Sequence, residues 1–151
     1  NQTTLLPHIV EHSVGLNRLM LATITEFLQT RDNRAWEILA LPFSLAPFKF
    51  AVLPLSAQQE MGAHRLNQWL QRFPITSIIS SGGSIGKRYR EQDQWGTPYC
   101  LTVDYESGSF QGENFSFTIR DRDSGIQTRI NLDTLKSYIL RSLGLEQLLE
   151  R

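Results

Sequence analysis

The tightest constraint on this chain lies in its middle third, where strand and helix periodicities alternate. Phe50 to Leu55 reads as a strand, and Gln58 to Arg72 as a helix carrying Leu66, Trp69 and Leu70 on one face. Ile75 to Ser80 reads as a second strand, which completes one βαβ unit. A glycine-rich turn, Ser81-Gly82-Gly83-Ser84, then opens a charged helix through Gln94; Gly96 stops it, and Tyr99 to Tyr105 forms a third strand. Phe115 to Arg120 and Gln127 to Leu132 read as a hairpin around Asp123-Ser124-Gly125, followed by a terminal helix from Leu135 to Leu149. The expectation is an α/β fold, a five-stranded mixed sheet flanked by three helices. Right-handed crossovers place turns such as Ser80 to Gly86 where ligands usually bind.

The upstream part is different. Leu5 to Val10 reads as a strand, Ser13-Val14-Gly15 as a turn, and Leu16, Leu19, Met20, Ile24, Phe27 and Leu28 mark a helix to about Gln29. The polar run Gln29 to Arg34 and the prolines Pro42 and Pro47 separate it from the rest, giving a strand-helix segment over 1–44 and a second unit over 45–151. With 151 residues and 40% apolar content, the chain has enough to bury one ordinary core plus this appendage.

Fifteen Lys and Arg balance fifteen Asp and Glu, so any nucleic-acid binding must come from a local patch. The one cysteine, Cys100, has no partner for an internal disulfide, and a reducing compartment is the default. Phe48 to Leu55 is broken by Lys49 and Pro54, far short of the roughly 20 residues that cross a bilayer, so no membrane partner is expected. The start at Asn1, with no methionine and no charged-then-apolar leader, reads as a processed or excised segment.

The most informative stretch runs from Gly82 to Asp93. Glycines admit an anion close to backbone N–H groups, a helix N-terminus adds partial positive charge, and Lys87, Arg88 and Arg90 follow within the first turns. This suits a phosphate backbone. A nucleotide-binding P-loop is excluded, because Arg88 stands where a magnesium-binding Ser or Thr should follow the lysine, and Ser81 replaces the first glycine. The alternative is a solvated helix face with Arg90 and Asp93 paired at helical distance.

In Arg120-Asp121-Arg122-Asp123, strand alternation sends both arginines to one face and both aspartates to the other. The arginines could hold a phosphate or a base edge and the aspartates a base amine, or the four could form an ion-pair ladder. Trp95, Tyr89 and Tyr99 are the aromatics available for base stacking, with core packing at the helix end favoured for Trp95; Phe50, Trp69, Phe115 and Phe117 belong in the core. His8, His12 and His64 lack ligand spacing, so no metal site is expected, and no nucleophile has a paired base.

With these segments placed, three blocks resemble the end of a class II glycyl-tRNA synthetase: Pro7 to Leu19, Leu45 to Leu55, and Gly83 to Thr102 with Phe117 to Ser124. The first is similar to the third signature motif of that class, and the others to its anticodon-binding domain. The resemblance implies that Arg18 contacts ATP, that Glu11 and Ser13 line a glycine pocket, and that Lys87, Arg88, Arg90, Arg120 and Arg122 face the anticodon stem-loop of tRNA. His12 and Asn17 depart from the family's usual residues, so the pocket is altered. The first and second motifs are absent, and activation chemistry needs several preorganised contacts at once, so the chain is not expected to be active alone. The resemblance further implies ATP and magnesium for the intact enzyme, a catalytic domain in the parent chain, a homodimer formed through other regions, and a cytoplasmic or organellar location. A non-catalytic relative, such as the synthetase-like accessory subunit of mitochondrial DNA polymerase, is the alternative.

Overall fold

The computed structural model describes residues 8–32, 34–110 and 115–145. Its elements in chain order are α1 (Leu16–Phe27), β1 (Leu28–Gln29), β2 (Ile38–Leu39), β3 (Phe50–Pro54), α2 (Glu60–Leu70), β4 (Ser77–Ile79), α3 (Ile85–Trp95), β5 (Tyr99–Val103), β6 (Ser116–Asp121), β7 (Gln127–Asn131) and α4 (Leu132–Ser142). Five strands form one sheet in the order β4-β3-β5-β6-β7. The β4/β3 and β3/β5 pairs are parallel, and β5/β6 and β6/β7 are antiparallel, so the sheet is mixed as expected.

Alternation along β3 divides the apolar side chains between two layers. Phe50 and Val52 join Leu66 and Leu70 of α2, Phe117 and Ile119 of β6, and Leu135 and Ile139 of α4 in the main core. Ala51 and Leu53 face the other way, with Cys100, toward Ile85 and Tyr89 of α3. All five β3 residues are buried, as a strand covered on both faces must be. Phe50, Phe115 and Phe117 take the core places their periodicity assigns, and Trp69 packs against the edge of that core.

The upstream segment departs from expectation. Residues 8–10 form no strand, and Leu5, Leu6 and Pro7 lie outside the described residues. The helix ends at Phe27, and Leu28–Gln29 pairs antiparallel with Ile38–Leu39. This small hairpin was hidden by its length: two residues carry no periodicity. None of the α1 side chains is buried, although Leu16, Leu19 and Met20 are all apolar. Ile38, Leu41 and Ala46, by contrast, are buried, so the stretch between α1 and β3 is packed rather than loose. The terminal helix begins at Leu132, earlier than expected, because the Asn131 side chain accepts from the Thr134 amide and caps it. Its expected end at Leu149 lies outside the described residues.

Gly96 ends α3 in the left-handed conformation, at φ +81°. A Cβ there would stand 2.8 Å from Leu41 Cδ1 and 3.1 Å from the Leu39 carbonyl oxygen. Gly96→Ala is therefore expected to cost about 2–4 kcal/mol, left-handed strain plus overpacking, read as a lowered urea midpoint with an unchanged slope.

Cys100, 1% exposed, sits between the sheet and α3. Burial pushes its thiol up to about 12. A raised thiol pKa leaves the sulfur neutral and unreactive across neutral and mildly alkaline pH, since only the thiolate attacks. Iodoacetamide at about pH 8 is expected to leave the folded chain unmodified and to label one site once guanidinium unfolds it.

Candidate nucleic-acid interface

The glycine-rich turn and α3 build the first half of the site. Gly82 and Gly83 hold φ of +103° and +72°, which ordinary side chains disfavour, and so bring the chain sharply into the helix. The Ser84 hydroxyl accepts from the Lys87 amide at 3.3 Å and caps the first turn. A glycine turn leading to a helix N-terminus is thus present where the spacing predicts it.

The five cations assigned to this surface do not share it. Lys87 points to solvent, 3.8 Å from Glu91 in an exposed pair that holds it weakly, and Arg90 is also exposed. Arg88, on the same side of the helix as the buried Gln92, turns inward and is 4% exposed. Its Nη1 donates to the carbonyl oxygens of Pro54 at 2.7 Å and Ser80 at 3.2 Å, tethering α3 to the ends of β3 and β4. Arg88 is a strut in this structure, not a free phosphate ligand.

Arg120 and Arg122 correct the expectation further. β6 ends at Asp121, and Arg120 and Arg122 both turn toward α3 while Asp121 faces the other side of the sheet, as alternation predicts, but the face they share is roofed by the helix. Arg120 lies beneath α3, where Nη1 and Nη2 donate to Asp93 Oδ1 and Oδ2 at 2.8 and 2.9 Å, and its guanidinium stands 4.8 Å from the Tyr89 ring centre. Arg122 donates through Nη1 to the Gly96 carbonyl at 2.8 Å and through Nε and Nη2 to Asp123. They are 6% and 3% exposed. For Arg120 the physical reason is Asp93, whose carboxylate is fully buried and must be neutralised by what faces it; for Arg122 it is the free Gly96 carbonyl at the end of α3.

Asp93 also accepts from Arg34 Nη1 at 2.8 Å and Trp36 Nε1 at 3.0 Å, so two oxygens receive four donors from three residues. The expected surface pair of Arg90 with Asp93 does not form, because Asp93 is on the inner face. Sequence reasoning missed Arg34 and Trp36, which are about sixty residues away in the chain. The available signal was an aspartate on the inward stripe of α3. Burial works against the charge on Arg120 but is outweighed by Asp93, so its pKa is raised; for Arg34 burial dominates and Arg120 adds repulsion, so its pKa is lowered.

The stacking aromatics are largely engaged. Tyr89 and Thr102 share a hydroxyl hydrogen bond at 2.7 Å, and Tyr99 stacks on Phe50 at 5.4 Å. Trp95, expected to pack in the core at the helix end, is 49% exposed beside Phe48, where it lines an apolar groove with Leu16, Met20 and Leu41. Glu11 and Ser13 lie exposed in a segment without regular structure, and Arg18 is exposed on α1. Among the described residues no helix is long and apolar enough to cross a membrane, and no group of three His, Cys, Asp or Glu could hold a metal ion.

A family description of the anticodon binding domain matches residues 49–142, from the start of the sheet to the end of α4. This chain belongs to the anticodon-binding domain family. The glycine–tRNA ligase of Mesoplasma florum is 41% identical over 138 residues, which is 89% of this chain and 29% of that protein. The glycine–tRNA ligase of Clostridium tetani is 40% identical over 139 residues, covering 89% and 28%. The chain thus spans less than a third of the length of these relatives. The RNA binding domain of a threonyl-tRNA synthetase from Cryptosporidium parvum superposes with a TM-score of 0.59 and 26% identity, over 70% of this chain and 25% of that one. A histidyl-tRNA synthetase from Nostoc, at 20% identity and a TM-score of 0.56 over 64% and 23%, shares the fold of this anticodon-binding domain.

Proposed function

We propose that this chain recognises the anticodon region of glycine tRNA as the C-terminal part of a glycine–tRNA ligase. The observation that supports it most is identity of about 40% running through both the upstream segment and the anticodon-binding domain of such ligases. The solvent-facing Lys87 and Arg90, set after a glycine turn at a helix N-terminus, supply the phosphate contacts, and unstacked bases are read by edge and stacking contacts beside them. Arg88, Arg120 and Arg122 serve this surface from behind, by fixing α3 to the sheet.

The parent enzyme would join glycine to tRNA with ATP and magnesium. Arg18 would contact ATP, and Glu11 and Ser13 would line the glycine pocket, once the upstream catalytic body surrounds α1. The exposed apolar residues Leu16, Leu19 and Met20 give that body a surface to pack on. A homodimer formed through that body and a cytoplasmic location complete the reading.

Filter binding of this chain to glycine tRNA, to the same tRNA with a changed anticodon, and to primer-template DNA tests the proposal. The expected order is strongest for glycine tRNA, with about 1–3 kcal/mol lost per altered anticodon base. Equal binding to all three, or preference for the DNA, overturns it.

A further inference from the structure

On the face of the sheet opposite α3, a cavity of about 240 Å³ opens between the β6/β7 turn and α4. Its walls are the rings of Tyr99 and Tyr138, which meet edge to face at 6.2 Å, together with Ile119 and Ile126. Asp121 stands at one side. Its Oδ1 accepts from the Ser124 amide at 2.7 Å and the Ser124 hydroxyl at 2.8 Å, while Oδ2 has no cation or donor within bonding reach among the described residues. The neighbouring Asp123 differs, because Arg122 and Arg31 both pair with it.

We infer that this pocket receives a guanidinium side chain, an arginine presented by a protein segment. A flat cation is attracted to aromatic rings, makes forked hydrogen bonds to a carboxylate, and is weakly hydrated, so it enters a half-apolar cavity more readily than a compact ammonium. The electrostatics favour the cation over RNA. Among the described residues that line the cavity the one charge is negative, burial and Asp121 together raise the Tyr99 phenol, and the exposed cations of α3 lie on the other face of the sheet. A phosphate would be repelled here. The arginine could come from a separate protein or from another part of the parent polypeptide; the chemistry of the pocket is the same for both.

The test is a titration of the isotope-labelled chain with three capped tripeptides, Gly-Arg-Gly, Gly-Lys-Gly and Gly-citrulline-Gly, following the Tyr99 and Tyr138 ring resonances. Saturable shifts are expected with the arginine peptide, weaker ones with lysine and none with the uncharged citrulline. Asp121→Asn keeps an Oδ1 acceptor for Ser124, so the turn survives, and it should weaken the arginine peptide about tenfold. Glycine tRNA binding should be unchanged in that variant, which separates this inference from the proposed function. Equal shifts with citrulline, no shifts at all, or shifts with cytidine in place of arginine would overturn it. If the peptide result holds, the same resonances in the full-length parent tell the sources apart: already shifted and insensitive to peptide if the arginine is its own, responsive if it is a partner's.

Discussion

Replacing Asp93 by asparagine is expected to destabilise the fold by about 3–5 kcal/mol, the cost of leaving buried cations without their counter-charge. The carboxylate is fully buried and receives Arg34, Trp36 and both terminal nitrogens of Arg120. Asparagine keeps the shape but loses the charge, and its NH₂ group would face a guanidinium. Against a typical total of about 5–15 kcal/mol, the loss should show as a large fall in the denaturation midpoint. Replacing the whole cluster, Asp93→Leu with Arg120→Met and Arg34→Met, should recover part of it, because a buried ion cluster is often replaceable by apolar packing although it is not divisible. Salt should scarcely alter the effect, since buried pairs are poorly screened. A midpoint unchanged in Asp93→Asn would show that the cluster carries no net stability.

Neutralising Lys87 and Arg90 together, as glutamines, is expected to leave stability within about 0.5 kcal/mol and to weaken glycine tRNA binding roughly tenfold or more. Both side chains face solvent, so nothing in the fold depends on them. Each phosphate contact to a single strand contributes about 0.7 to the slope of log affinity against log salt, so the double variant should be shallower by about 1.4. Adding Arg88→Gln should instead lower stability, because its hydrogen bonds to Pro54 and Ser80 would be lost inside the protein. A triple variant alone would confuse the two effects. If the double variant retains full affinity and slope, the first turns of α3 are not the phosphate-binding surface.

Much of the architecture was legible because it follows from local periodicity. The all-apolar run Phe50–Pro54, the inward stripe of α2 and the stop at Gly96 each declare themselves within a few residues. The family was legible too, because its wording is concentrated in contiguous blocks. The fate of the arginines was not. Charge type and strand alternation place Arg120 on a face but do not say whether that face is roofed, and it is α3, arriving from some thirty residues away, that roofs it. Arg88 was misjudged for the same reason, since its first partners are the backbone oxygens of Pro54 and Ser80, which no residue pattern advertises. The β1/β2 hairpin failed for a different reason, because two-residue strands lie below the length at which any period can be counted.

The withdrawal of arginine into the interior alters how the exterior greets a polyanion. Among the described residues, Arg88, Arg120 and Arg122 are buried but Asp93 alone of the acids, so burial withdraws more positive than negative charge from the surface. Because the chain is formally neutral, bulk nucleic acid meets little net field at a distance, and attraction depends on local groups of exposed cations such as Lys87 and Arg90 at the mouth of α3. Such a surface sheds arbitrary RNA easily, and selectivity comes as much from the scarcity of outward positive charge as from any contact that a correct partner makes.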